Sequence, residues 1–96
     1  MKAMKGSAMG VSAADIEREL RAAFDPDSLE VNDDSHQHIG HAGAREGRHF
    51  SVVIVSARFA GASRVARHRL VYDALRNLIP QGIHALAIDA RTPDQP

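Results

Sequence analysis

Eight residues near the middle of the chain form the sequence feature that most constrains its fold. This run, His49-Phe50-Ser51-Val52-Val53-Ile54-Val55-Ser56, places five apolar, β-favouring side chains in eight positions. A short apolar run of this kind, followed soon afterwards by Gly61, is typical of a buried strand. The sequence therefore predicts a strand over residues 49–56 at the centre of a β-sheet.

A helix and another strand follow this predicted central strand. Ser63 is a suitable N-cap, and the helix is expected to end at Pro80-Gln81-Gly82, because proline interrupts helices and glycine favours their C-termini. Two rows of residues spaced four positions apart, here called diagonals, run along this helix. They are Leu70, Ala74 and Leu78, and Arg67, Val71, Leu75 and Ile79. The final strand, residues 83–90, alternates two sets of side chains: His84, Leu86 and Ile88 against Ile83, Ala85 and Ala87.

The order strand, helix, strand has a geometric consequence for two histidines. Such a unit within one sheet is almost always a right-handed crossover that joins parallel strands. Both strands then start at the same edge of the sheet. We therefore expect His49 and His84, which begin the two strands, to lie near each other and near the end of the preceding loop.

The first half of the chain predicts a helix, a strand and a long loop. Residues 1–11 show no apolar period and are expected to form a flexible leader outside the core. Ser12 and Asp15 form a capping pattern that begins a helix over residues 12–24. Leu29 and Val31 predict a short strand, and the glycine-containing segment from residue 33 to residue 48 predicts a loop. The chain is thus expected to be one α+β domain over residues 12–91, with the order α-β-β-α-β, followed by a polar tail over residues 92–96.

Composition excludes several classes of protein. The chain has no cysteine, which excludes a disulfide framework, a thiolate zinc site, a cysteine nucleophile and any iron–sulfur cluster held by this chain alone. It has neither a run of about 18 apolar residues nor an apolar stretch near the start, so neither a membrane span nor a secretory signal is expected. We expect a cytoplasmic protein, or a mitochondrial matrix protein if the source is eukaryotic.

Charge is divided unevenly along the chain although the net charge is zero. Residues 13–34 hold eight acidic side chains and two arginines, whereas residues 45–76 hold seven arginines and two acidic side chains. A basic second half suits a nucleic-acid or acidic partner, and it equally suits a solvated surface. The candidate phosphate contacts lie on the predicted second helix: Arg64, Arg67, His68 and Arg69. No Walker loop, nucleophile elbow or assignable carboxylate pair occurs, so catalysis is not expected.

Histidines are the residues best suited to hold a metal. Three of them, His36, His38 and His41, lie within six residues of one loop, and the predicted topology brings His84 toward that loop. Neutral imidazole binds zinc, copper, nickel and iron. The pattern indicates a metal or cluster site built from one loop histidine and His84, or alternatively a group of solvated polar side chains. Two histidines are too few for a closed site, so further ligands would have to come from elsewhere.

Four stretches of the chain resemble the BolA family. They are Val31-Asn32-Asp33-Asp34-Ser35-His36-Gln37-His38, the run from His49 to Ser56, Arg58-Phe59-Ala60-Gly61 continuing to Arg67-His68-Arg69-Leu70-Val71-Tyr72, and His84-Ala85-Leu86-Ala87-Ile88 with Arg91-Thr92-Pro93. The resemblance implies an α-β-β-α-β fold with a short extra helical turn, a three-stranded mixed sheet and both helices on one face. It is a KH-like arrangement without the GXXG clamp, and Gly40-His41-Ala42-Gly43 lies between predicted strands rather than between helices.

The resemblance also implies a function without catalysis. BolA-like proteins form heterodimers with monothiol glutaredoxins and share a bridging 2Fe-2S cluster, for which the glutaredoxin and bound glutathione supply thiolates. By resemblance, this chain would supply His84 and a loop histidine, with His38 the best match and His41 and His36 as alternatives. Two imidazoles on one iron raise the cluster potential, as in Rieske centres, and favour transfer or sensing.

Further expectations follow from the same resemblance. The isolated chain is expected to hold no cofactor and to be a monomer or a weak dimer, with no membrane partner. Bacterial members are also linked to transcriptional regulation through DNA binding. In that alternative, the basic second helix with Arg64, Arg67, His68 and Arg69 would contact phosphates.

Overall fold

The computed structural model describes residues 10–34 and 48–95. The helices are α1 (Ala13–Phe24), α2 (Arg64–Ala74) and the short α3 (Ile79–Gly82), with one 3-10 turn at Ala57–Phe59. The strands are β1 (Ser28–Asp33), β2 (Arg48–Val55) and β3 (Ile83–Arg91). The predicted α+β class and the order α-β-β-α-β are therefore confirmed; the resemblance implied one short extra helical turn, and the described residues contain two.

The three strands form one mixed sheet in the order β1-β2-β3. β1 pairs with β2 in antiparallel orientation, and β2 pairs with β3 in parallel orientation through the α2 crossover. The central position predicted for β2 is confirmed. Alternate β2 side chains, Phe50, Val52 and Ile54, are buried at 0–2% exposure, so one face of the central strand carries the core.

Both long helices contribute buried residues to this core. The capping box at the start of α1 is present: the Asp15 backbone N–H donates to the Ser12 hydroxyl, and the Ser12 backbone N–H donates to the Asp15 carboxylate. The predicted α1 stripe is also confirmed, because its three members are buried: Ile16, Leu20 and Phe24. Their spacing places all of them on one side of the helix. Phe24 contacts Phe59 of the 3-10 turn with ring centroids 4.9 Å apart.

Helix α2 is shorter than the sequence predicted. It begins after the expected N-cap Ser63, but it ends at Ala74 rather than near Pro80. Pro80 lacks a backbone N–H and would clash with the carbonyl of Arg76 if the helix continued, so it lies instead in the first turn of α3. Of the two predicted diagonals, only Val71 and Leu75 are fully buried.

The first residue of the Leu70, Ala74 and Leu78 diagonal is exposed, whereas the other two are half-buried against the core. Leu70 is 42% exposed, so it belongs to the surface and not to the core. Tyr72 is also 42% exposed, unlike the three phenylalanines. Its hydroxyl donates a 3.3 Å hydrogen bond to the Leu86 carbonyl on β3, which ties the surface of α2 to that strand.

Both ends of the domain are packed further than the sequence indicated. Val11, predicted to lie in the leader, is 3% exposed and belongs to the core. A Cβ on Gly82 would lie 3.0 Å from Gly10 Cα and 3.1 Å from Val11 N, so a larger residue would press against the backbone of the N-terminal segment. Thr92, predicted to begin the polar tail, is 6% exposed, and its hydroxyl is hydrogen-bonded to Asp94. Val11 and Thr92 are buried by residues that are distant from them in the sequence, and local periodicity does not predict such contacts.

Ser56 connects the ends of three elements. Its side chain is fully buried, and its hydroxyl donates a 2.7 Å hydrogen bond to the Phe24 carbonyl at the end of α1. The same oxygen accepts from the Arg58 backbone N–H at 3.1 Å, and the Ser56 N–H donates to the Arg91 carbonyl of β3 at 2.9 Å. A buried helix-terminal carbonyl is thereby satisfied.

Replacing Ser56 by alanine is predicted to destabilise the domain. The Phe24 carbonyl loses its donor in a buried place, which costs about 1–3 kcal/mol of unfolding free energy. Urea denaturation followed by circular dichroism measures the change. Ser28→Ala, at an exposed position of β1, is the control and is expected to stay within about 0.5 kcal/mol of the native chain. Equal stabilities for the two variants would contradict this role of Ser56.

Candidate metal-binding edge of the sheet

A β-bulge at the start of β3 determines where His84 lies. In the parallel register, Arg48 pairs with Ile83 and His49 pairs with Ala85, so His84 is an extra residue between two consecutive pairs. Ile83 is buried whereas His84 and Ala85 are both exposed, which breaks the strict alternation that the sequence predicted. Bulges leave one residue unpaired and redirect its side chain. Here the redirected residue is His84.

His84 and His49 lie side by side at this edge. Their ring centroids are 5.2 Å apart and the ring planes are inclined by 31°. His84 is exposed and His49 is half-buried. The prediction that the topology brings these two histidines together is therefore confirmed.

The loop between β1 and β2 starts and ends at the same edge. The backbone N–H of Asp34 donates a 2.7 Å hydrogen bond to the His49 carbonyl. Next to it, Arg48 and Asp33 form an ion pair with 2.9 Å between Nη1 and Oδ2. His36, His38 and His41 lie outside the described residues, so the choice of a loop ligand stays a prediction.

The nitrogen donors described at this edge are the imidazoles of His49 and His84, and the nearby Asp33 carboxylate is paired with Arg48. The described parts of the chain contain no group of three or more histidine, cysteine, aspartate or glutamate residues arranged to hold a metal ion. The whole chain lacks cysteine, so any thiolate would have to come from another molecule. Imidazole replaces two thiolates on one iron in Rieske clusters, so an exposed histidine at this edge suits a shared cluster. The residues present therefore fit a site that a partner completes.

The four predicted nucleic-acid residues have different environments on α2. Arg64 and Arg69 are exposed, whereas Arg67 and His68 are half-buried. The Arg67 guanidinium donates to the carbonyls of Ala62 and Ala90 at 2.9 and 3.1 Å, and to the Gln95 side chain at 3.1 Å. Arg67 thus joins α2 to the end of β3 and to the residues after it. These bonds use Nε and Nη1 and hold the guanidinium toward the end of β3.

An acidic side chain lies close to this basic helix. The hydrogen bond from Arg91 lowers the pKa of Asp89 below its ordinary value, and the charges of Arg91, Arg64 and His68 act in the same direction. Burial opposes them, as desolvation disfavours a charged carboxylate. Asp89 and Arg91 form an ion pair with 2.6 Å between Oδ2 and Nη2. The charge of Asp89 is thus matched mainly by Arg91 on the same strand.

Two features of this region were missed by the sequence analysis. The tether through Arg67 has no local signal, because its acceptors lie 5, 23 and 28 residues away along the chain. The bulge does have a signal: Ile83, Leu86 and Ile88 are apolar, and their spacing changes from three residues to two. An inserted residue is the simplest way to put all three on one face.

The described part of the chain shows no helix with the length and apolar character needed to cross a bilayer.

The fold is a small α+β domain with an exposed histidine at the start of the last strand. Comparison with known proteins identifies the group of such domains: residues 20–95 match the family model described as BolA-like protein. The chain belongs to the BolA-like family.

Individual relatives agree with this family assignment. A Sinorhizobium protein from the cobS 5′ region is 48% identical over 84 residues, with 84% of this chain and 90% of the relative covered. The DNA-binding transcriptional regulator BolA of Escherichia coli is 46% identical over 77 residues, covering 80% of this chain and 71% of that protein.

Among solved structures, the BolA domain of SufE1 from Arabidopsis thaliana is similar, with a TM-score of 0.76 and 47% identity. That comparison covers 91% of this chain and 98% of the solved chain. The complete Arabidopsis protein, SufE-like protein 1, is longer, and this chain spans 25% of its length. The predicted fold and the family resemblance are thus both confirmed.

Replacing Arg67 by alanine is predicted to lower stability more than replacing Arg69. Hydrogen bonds to a charged group contribute about 1.5–3 kcal/mol each, and partial solvent access at Arg67 reduces that value, so we expect a loss of about 1–2 kcal/mol. Arg69→Ala, at an exposed position of the same helix, should change the unfolding free energy by less than about 0.5 kcal/mol. Chemical denaturation of both variants under identical conditions tests the difference, and an equal effect would contradict the tether.

Proposed function

We propose that this protein is a non-enzymatic partner of a monothiol glutaredoxin, with which it forms a heterodimer that shares a bridging 2Fe-2S cluster. In this complex the chain supplies His84 and one histidine of the β1–β2 loop. His38 is the preferred loop ligand, and His41 and His36 are the alternatives. The observation that carries the proposal is the exposed imidazole of His84 on a bulge, at the edge where that loop begins and ends. Family membership supports it.

The absence of cysteine decides the division of ligands in this proposal. Iron–sulfur clusters need several thiolate or imidazole ligands, and this chain supplies only imidazoles. The glutaredoxin and its bound glutathione would supply the thiolates. When bound, the cluster would provide a redox-active and transferable iron–sulfur unit. The roles that suit such a complex are cluster trafficking and iron or redox regulation.

The chain's own contribution is to position its imidazoles. The bulge fixes His84 relative to the end of β2, and the parallel hydrogen bonds hold the two strand starts together. The Asp33–Arg48 ion pair and the Asp34–His49 backbone bond hold the two ends of the loop at the same place. A loop ligand attached at both ends to the sheet loses less entropy on binding than one on a free segment.

Substitution of the proposed ligands is predicted to abolish the mixed cluster spectrum. The native chain, His84→Ala and His38→Ala are each mixed anaerobically with a monothiol glutaredoxin, glutathione, iron and sulfide, and visible absorption and circular dichroism are recorded. A spectrum distinct from that of the glutaredoxin homodimer is expected for the native chain and not for His84→Ala or His38→Ala. His68→Ala is the matched control, because His68 lies on α2 and is expected to leave the spectrum unchanged.

Different outcomes of this experiment contradict different parts of the proposal. A mixed spectrum that persists in both ligand variants would show that the ligand assignment is wrong. A spectrum lost in His84→Ala but kept in His38→Ala would point to His41 or His36 as the loop ligand. Failure of the native chain to form any mixed complex would contradict the proposed partner itself.

DNA binding is a second candidate function, favoured by the exposed Arg64 and Arg69 and by similarity to the Escherichia coli regulator. Arginines in a helical surface contact phosphates and make the affinity depend on salt. The balance of charge over the whole chain weakens the attraction. We therefore infer modest DNA affinity with contacts from Arg64 and Arg69, and with Arg67 contributing mainly to stability.

Salt dependence is predicted to identify the DNA-contacting arginines. Fluorescence anisotropy with a labelled duplex gives the slope of log affinity against log salt concentration. Loss of one phosphate contact reduces the magnitude of this slope by about 1, so Arg64→Gln and Arg69→Gln should each do so. Arg18→Gln, an exposed arginine on α1, is the control. Unchanged slopes in both α2 variants would exclude this surface as the DNA contact.

A further inference from the structure

The half-buried histidine of the pair, His49, has no role in the proposed cluster site. Its ring lies 5.2 Å from that of His84, and the bulge rather than ordinary strand pairing creates this contact. Ring separations of about 4.5–7 Å also occur in ordinary aromatic contacts. The separation alone therefore allows two interpretations, a packing contact or a pair of metal ligands.

Coordination geometry agrees with the second interpretation. Zinc–imidazole bonds are about 2.0–2.1 Å long, so each ring centre lies about 3.2 Å from the ion, and a tetrahedral angle separates the two centres by about 5.2 Å. The observed separation of His49 and His84 is 5.2 Å. The distance between the two ring centres therefore matches that of two imidazoles on one tetrahedral ion.

The pair lies partly at the surface. His84 and its neighbour Ala85 are exposed, His49 is half-buried, and Ala85 is the residue that pairs with His49 across the strands. Both histidines lie on paired strands, so the sheet holds their relative position before any ion binds.

We propose that His49 and His84 together bind one divalent transition-metal ion, of the class represented by Zn²⁺, in the free chain. Two imidazoles occupy two positions of the ion, and water fills the others. This binding requires neither glutaredoxin nor a cluster. It uses His84 in a second way, so the metal-bound chain and the cluster-bridged complex exclude each other at that residue.

The test is a calorimetric titration of the free chain with Zn²⁺ at mildly alkaline pH, because metal binding uses the neutral form of imidazole. Because the loop histidines also bind metals, the titration is done in the native chain and in a His36→Ala, His38→Ala, His41→Ala triple variant. We expect the triple variant to retain a site for one ion. Adding His49→Ala or His84→Ala to it should weaken binding at least tenfold, since even loss of a supporting residue around a metal costs about 10–100-fold.

Two controls separate ligand loss from other effects. His68→Ala in the triple variant should bind Zn²⁺ as tightly as its parent, and far-ultraviolet circular dichroism checks that every variant is folded. His49→Asn keeps a polar side chain at the strand start and should weaken binding as His49→Ala does. As a direct readout, long-range nitrogen–proton spectra of the triple variant should show shifts of the side-chain nitrogens of both His49 and His84 on adding Zn²⁺.

Three results would overturn the proposal. They are failure of the triple variant to bind Zn²⁺, unchanged affinity after His49→Ala or His84→Ala, and nitrogen shifts confined to one of the two rings. None of these measurements contains glutaredoxin, iron or sulfide. The metal proposal and the proposed heterodimer can therefore fail independently.

Discussion

The parallel pairing of β2 with β3 is the constraint from which the rest of the structure follows. Parallel neighbours cannot be joined by a tight turn, so the chain must cross the sheet, and α2 makes that crossing. The crossing covers one face of β2, where Phe50, Val52 and Ile54 form the middle of the core. The same pairing places both strand starts at one edge. The parallel pairing of β2 with β3 therefore determines both the position of the core and the position of the candidate site.

The β-bulge at His84 also connects the packing of the core with the candidate site. Ile83 and Leu86 are three residues apart, yet both pack on the core side of β3, which a regular strand does not allow. One extra residue resolves the mismatch, and that residue is His84. Exposure of the histidine is thus a consequence of burying the apolar residues on both sides of it. A substitution that removed the bulge would have to expose Ile83 or bury the imidazole.

Most of the fold could be predicted from local patterns, and the limits of prediction lie where distant residues meet. The capping box at Ser12, the α1 stripe, the central strand and the nearness of His49 to His84 all follow from periodicity, capping chemistry and crossover geometry. The burial of Val11 and Thr92 and the tether through Arg67 depend on contacts between the ends of the domain and its centre, which no window of sequence contains. The end of α2 was misplaced because its apolar spacing continues past the point where Pro80 forces a new helix.

The two ends of the β1–β2 loop are held together by contacts that do not use the candidate ligands of the loop. An ion pair and a backbone hydrogen bond close the base of the loop, and neither uses a side chain from within it. The contacts described at the base of the loop are thus made by residues outside residues 35–47. In the proposed complex, the loop ligand could differ between related chains while these contacts and the position of His84 stay the same. The type of ligand at this edge would then vary without a change in the contacts that hold the sheet together.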